Sequence, residues 1–209
     1  MRIDHVIYAT QDLDAAAERL EADHGLRATG GGRHAGLGTE NRIVPLGGGY
    51  LELIAVADHA EAECSALGAA LAERIRERGE GLMGWVVAVE DVVAEASRTG
   101  AELSTIERDG LRAQLAGVST AMADPSLPFF IRRDPGIADP GEGGEAGGIA
   151  WIEVSGDAAR LRSWLDGAEL PVRVSDGAPA LLAVGIVDGV CRAPASRLSC
   201  SRPPASHSR

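Results

Sequence analysis

One histidine stands in the middle of an apolar run near the start of the chain, His5 in "RIDHVIYAT". Alternation along a strand puts His5 on one face with Ile3 and Ile7. An imidazole on an inward face needs a polar partner, a ligand or a metal to offset its burial. Chemistries that need other residues are excluded. The 20 basic residues are all arginine, so no lysine can form a Schiff base or complete a phosphate-binding loop of the G-x-x-x-x-G-K type. There is no G-x-S-x-G elbow and no H-E-x-x-H, and "GGGRHAGLG" lacks the G-x-G-x-x-G spacing, so no nucleotide cofactor is expected.

The elements around His5 recur. The segments starting at Ile3, Met83 and Ile149 each read as a β-rich run, an acidic turn, an amphipathic helix, a glycine and another apolar run. Asp12 and Asp157 are candidate N-caps, and Gly25 and Gly167 suit the left-handed position that ends a helix. "RIVPLGG" with "GYLELIAV", and "LRAQLAGV" with "LPFFIRR", read as strands. The unit is β-α-β-β-β, given twice, with a shorter β-α-β-β copy after it. Aligning the module starts puts Trp85 and Trp151 opposite His5, so this position is expected to face inward in every module. A helix over about 61–78 is expected to link the first two modules, with Cys64 buried on its face beside Leu67, Leu71 and Ile75.

A chain that begins "IDHVIYAT.DLDAA" and continues "HAGLGTENRIVPLGGGYLELIAV" and "DPSLPFFIRRDPG" resembles the glyoxalase-like domain proteins of the vicinal oxygen chelate superfamily. The resemblance implies an α+β fold in which paired βαβββ modules form a cupped mixed sheet, here with a partial third βαββ module. It implies a glyoxalase-like domain over 1–135, with modules at 1–57 and 82–135. A flexible linker over 136–148 and the partial module over 149–189 would follow. In metal-binding members one ligand is a first-strand histidine, matched by His5, and another is a last-strand carboxylate, matched by Glu52. The second module offers Trp85, Phe130 and Arg132 where two more ligands would stand, and none of the three suits a metal.

Two readings of the site stay open. With His34 as a third donor, His5 and Glu52 would hold one divalent metal (Zn, Mn, Ni or Fe). Without metal, His5 and Glu52 are acid–base groups, Trp85 and Phe130 an apolar wall, Arg132 an anion clamp, and Asn41 and His34 loop contacts. The expected activity is that of a lyase, isomerase or dioxygenase on a small oxygenated metabolite. The alternative is a non-catalytic small-molecule binding protein of the drug-resistance type. A core histidine paired with an acid is the plainest account of His5.

Net charge is −11 and no segment is apolar enough for a membrane span, so the expected setting is cytoplasmic, without nucleic acid or membrane as partner. A homodimer stays open. After Gly189 the sequence turns to arginine, serine and proline without acids, and 190–209 is expected to be a disordered tail.

Overall fold

The computed structural model describes residues 1–108, 111–187, 189–192 and 199–201. The first module is β1 (Arg2–Ala9), α1 (Leu13–His24), β2 (Thr29–His34), β3 (Thr39–Pro45) and β4 (Tyr50–Val56). Two helices follow, α2 (His59–Ala62) and α3 (Ala66–Arg78). The second module is β5 (Gly81–Ala88), α4 (Val92–Thr99), β6 (Leu103–Arg108), β7 (Leu111–Ala116), α5 (Val118–Ala123) and β8 (Phe129–Arg133). The third is β9 (Ile149–Ser155), α6 (Ala158–Trp164), β10 (Val172–Ser175) and β11 (Ala180–Ile186), continued by β12 (Gly189–Arg192) and β13 (Ser199–Ser201). The rest of the tail expected after Gly189 lies outside the described residues.

The repeat is visible in how each helix begins. Asp12, Asp91 and Asp157 each accept two backbone N–H bonds from the first turn of α1, α4 and α6. The helix α1 ends on Gly25 in the left-handed region, φ 66°.

The first two modules share one curled sheet of eight strands, ordered β2-β3-β4-β1-β5-β8-β7-β6. β1 runs parallel to β4 and antiparallel to β5, and β5 runs parallel to β8. Each face is apolar for a different purpose. The outer face (Val6, Leu51, Leu53, Trp85, Val87, Phe130) packs on α1, on α4 and on the third module. The inner face (Ile7, Ile54, Val86, Phe129, Ile131) packs on α3 and α5. Leu67 and Leu71 of α3 therefore fill one end of the cup with hydrocarbon and leave the other end open. Each such fully buried side chain contributes about 1.5–3 kcal/mol.

The third module is braced against the outer face. The rings of Phe130 and Trp164 stack at 5.8 Å, the Trp164 indole donates to Pro128 O at 2.8 Å, and Arg160 pairs with Asp124 at 2.9 Å. Trp151 lies on the opposite side of β9, under the Arg173 guanidinium at 4.0 Å.

Two local expectations differ from the structure. The linking helix breaks, because the Ser65 hydroxyl accepts from Gly68 N at 2.9 Å and starts α3 afresh. Cys64 falls in that break and is exposed, off the face carrying Leu67 and Leu71. The glycine-rich segment 136–148 is also more than a tether. Gly47 N donates to Gly141 O at 2.8 Å, and Ile149 N donates to Gly48 O at 3.0 Å. A Cβ on Gly144 would stand 2.3 Å from the Pro45 carbonyl, so backbone meets backbone there and only glycine fits.

Gly144→Ala should therefore destabilise the fold by about 1–3 kcal/mol through overpacking. Gly30→Ala meets nothing within 4 Å and should stay within about 0.5 kcal/mol of wild type. Urea denaturation midpoints of the two variants check this.

Candidate functional site

A bulge in β1 builds the polar wall of the cup. Ile3 pairs with Val87 and His5 with Val86, so Asp4 is an extra residue between them. The bulge reverses the alternation. Ile3 belongs to the outer core, while His5 turns inward with Ile7. The expectation that Ile3 shares the His5 face fails for this reason.

Asp4 has no solvent exposure, and its two oxygens are both engaged. Arg133 Nη1 donates to Oδ2 and Nη2 to Oδ1, each at 2.7 Å. His5 Nδ1 lies 2.7 Å from Oδ1, and an ionised carboxylate can only accept, so this nitrogen carries a proton. Arg133 Nη2 also donates to the Tyr50 hydroxyl at 3.0 Å, and the Tyr50 ring stacks on His5 at 4.4 Å.

Glu52 faces the far edge of the imidazole. β4 alternates so that Leu51 and Leu53 enter the outer core, while Glu52 and Tyr50 line the hollow. His5 Nε2 stands 3.5 Å from Glu52 Oε2, too long for a strong hydrogen bond but close enough for charge attraction. The other oxygen, Oε1, accepts from Asn41 Nδ2 at 2.5 Å. Asn41 Oδ1 accepts from Gly32 N at 3.0 Å, which fixes the amide orientation. The same Nδ2 lies 3.2 Å from His34 Nε2, so that nitrogen accepts, and His34 Nδ1 donates to Thr39 Oγ1 at 2.9 Å. Thus His34 and Asn41, on or beside the first hairpin, do reach the site.

These contacts set the charges. Burial opposes ionisation of Asp4, but Arg133 and His5 outweigh it and hold the carboxyl well below its usual range. Burial alone would lower the His5 pKa, yet Asp4 and Glu52 raise it above its ordinary value. Glu52, buried as well, is lowered to about 2 by His5, His34 and Asn41. Burial and the two nearby carboxylates push the Tyr50 phenol well up, so it stays neutral.

The hollow encloses about 110 Å³. Phe129, Ile131, Leu115 and Ala113 of the second module form its apolar wall, and Ile137 and Pro140 line it as well. Arg112, whose side chain is 55% exposed, lines it at the solvent side.

The second-module residues expected at the site lie elsewhere. Trp85 does not face the hollow as its repeat counterpart His5 does; it is fully buried in the outer core with its indole donating to Ser126 O at 3.3 Å. Phe130 is likewise in the outer core, under Trp164. Arg132 falls on the same phase of β8 as Phe130, so the cation in the hollow is Arg133 and the aromatic is Phe129. "LPFFIRR" is apolar in both phases and gave no means of choosing between them. Asp4, Tyr50 and Arg133 escaped the sequence reading. Tyr50 had a signal, its spacing of two from Glu52, whereas Asp4 had none without the bulge.

Of the expected ligands, His5 Nε2 lies 3.5 Å from Glu52 Oε2 and His34 Nε2 lies 3.8 Å from Glu52 Oε1 and 3.2 Å from Asn41 Nδ2, while the second module turns hydrocarbon and a cation toward them, so the donor set suits a divalent metal poorly. Among the described residues no group of three His, Cys, Asp or Glu side chains is gathered to hold a metal ion.

Paired βαβββ modules around a hollow define a class, and the chain belongs to the glyoxalase-like domain family, which matches residues 3–168. It is thus a member of the vicinal oxygen chelate superfamily, in which divalent metals are frequent. A hypothetical protein from Staphylococcus aureus superposes with TM-score 0.65 at 17% identity, covering 88% of this chain and 89% of that one. Methylmalonyl-CoA epimerase from Mycobacterium tuberculosis gives TM-score 0.50 at 19% identity, covering 65% and 89%. A variant of Streptomyces coelicolor methylmalonyl-CoA epimerase, in complex with 2-nitronate-propionyl-CoA, gives 0.50 at 20%, covering 66% and 97%. At these identities the likeness is one of fold. No curated protein matches the chain. Among the described residues no helix is long and apolar enough to cross a membrane.

Two outcomes follow from the charges. Glu52 has its pKa lowered from 4.5, so its stabilisation is present above 4.5 and is lost as pH falls toward about 2. His5 has its pKa raised from 6.5, so its stabilisation is present below 6.5 and is lost as pH rises through the raised value. The stability advantage of wild type over Glu52→Gln should therefore shrink in acid below pH 4.5, as read by denaturation midpoints across pH. Arg133→Met leaves Asp4 buried without its guanidinium and should cost about 3–5 kcal/mol, measured by urea unfolding at neutral pH.

Proposed function

We propose that the protein is an enzyme that moves a proton on a small oxygenated compound, with His5 as electrophile and Glu52 as base. The observation that carries this reading is the 3.5 Å separation of His5 Nε2 from Glu52 Oε2 on the inner wall of the hollow. That gap leaves the imidazolium N–H available to a ligand carbonyl oxygen. The carbonyl oxygen accepts from Nε2–H, a hydrogen on the adjacent carbon passes to Glu52, and the electron pair left behind moves onto the oxygen as an enolate. Return of the proton completes an isomerisation or epimerisation. The imidazolium occupies the role that a Lewis-acidic metal takes elsewhere, so the reading needs no metal.

The low pKa of Glu52 fits this scheme only if binding raises it. A carbonyl that takes the Nε2 hydrogen draws the imidazolium charge from the carboxylate, and the ligand excludes water; both effects favour the protonated acid. In this reading residues 1–135 carry the activity and residues 149–189 brace the outer face of the sheet. A carboxylate already stabilised near pKa 2 also favours a second reading, capture of a small oxygenated ligand without turnover.

Levulinate in deuterium oxide tests the proposal. Wild type should exchange the hydrogens beside the ketone, followed by NMR, and Glu52→Gln should lower the rate by about 10²–10⁴ while still folding. Binding without exchange in wild type would leave only the capture reading, and unchanged exchange in Glu52→Gln would overturn the assignment of the base.

A further inference from the structure

Hydrocarbon meets the imidazole directly. The Phe129 ring stands edge-on to His5, with ring centres 6.3 Å apart and planes at 79°. From there apolar side chains continue across three strands. Leu115 on β7 pairs with Ile131 on β8, and Ile106 on β6 pairs with Ala113 on β7. Ala113, Leu115, Phe129 and Ile131 are buried in one cluster, Ile106 packs against it, and all five line the hollow. These five side chains carry no donor or acceptor, so a polar group laid against them loses its water without replacement. The arginines at the margins are engaged elsewhere. Arg133 gives both terminal nitrogens to Asp4, and Arg112, at the solvent side, pairs with exposed Glu107 at 3.4 Å.

We infer that the ligand carries a hydrocarbon arm beside its carbonyl, a short chain lying along Phe129, Ile131 and Leu115, and that Ala113 sets the length of that arm. This rests on the proposed function, since His5 and Glu52 place the carbonyl. With the oxygen at His5 Nε2, the Phe129 edge is the first part of the second module that a substituent meets. Ala113 is the smallest of the five side chains. It stands between Ile106 and Arg133 in the strand ladder, where a longer side chain would occupy the space left to the arm. A hollow of about 110 Å³ accepts only a few carbons in all. Recognition is thus divided: the first module reads the oxygen with polar groups, and the second reads the chain with hydrocarbon.

The test is affinity, by NMR titration, for acetone, methyl ethyl ketone, methyl propyl ketone and methyl butyl ketone. A fifth probe is the hydroxyketone in which a hydroxyl replaces the terminal methyl of methyl propyl ketone. Affinity of wild type should rise about threefold to fourfold with each added CH₂ until the hollow is full. Methyl propyl ketone should bind at least fivefold more tightly than the hydroxyketone. Ala113→Leu should flatten the series, and Leu115→Ala, which enlarges the wall instead, should carry the rise to a longer chain. Affinity independent of chain length, equal binding of methyl propyl ketone and the hydroxyketone, or a series unchanged in both variants overturns the inference. Failure of every ketone to bind overturns it as well. In each of those cases, exchange of levulinate by wild type that depends on Glu52 would leave the proton-transfer reading standing.

Discussion

The carboxylate of Asp4 has no access to water, and nearly everything at the site follows from how its charge is balanced. An isolated buried carboxylate costs many kcal/mol, and the offset here comes from two directions. Arg133 arrives from the last strand of the second module and bonds both oxygens. His5 arrives from the neighbouring position on β1. The pair thus fastens one module to the other at the cup's rim. It also holds the imidazole ring in place and favours its protonated form, with Nε2 on the side of Glu52. Tyr50 finishes the frame by stacking on His5 and accepting from Arg133.

The rest of the cup divides between packing and binding. At one end α3 and α5 fill it, with Leu67, Leu71, Val118 and Ala121 against Ile7, Ile54 and Val86. At the other end hydrocarbon from β7 and β8 faces a wall of ionised and hydrogen-bonding groups across about 110 Å³. This asymmetry sets the chemistry. The first module presents a histidine and a carboxylate to the hollow. Among the described residues the second module turns no further carboxylate or imidazole toward the hollow, and the Arg133 guanidinium takes up the charge balance of Asp4.

The covering segment joins the two ends of the molecule. Ile137 and Pro140 line the hollow, Asp139 accepts from Arg2 at 2.6 Å, and Gly141 and Gly144 lie directly on the Gly47–Gly49 turn. Contact between bare backbones holds the segment where longer side chains would have kept it away. The third module, stacked through Trp164 on Phe130, presses on the outer face of β8 and so on the strand that presents Phe129, Ile131 and Arg133.

Much of this was legible in the sequence, because it depends on short-range pattern. The Asp-capped helices, the glycine that ends α1, the repeated βαβββ unit and the inward phase of Glu52 all follow from residues within a few positions of one another. His5 was singled out by local pattern and Glu52 through the family resemblance, with His34 and Asn41 beside them, and all four line the hollow. Register and partnership across the chain were decided only by the tertiary structure. One extra residue in β1 moved Ile3 outward and brought Asp4 to His5, and Trp85 and Phe130 proved to be core while Arg133 replaced Arg132. A strand that is apolar on both faces has no preferred phase of its own. Its phase is set by which long-range neighbour each face can bury, and here a buried aspartate needing a cation 129 residues away made that choice.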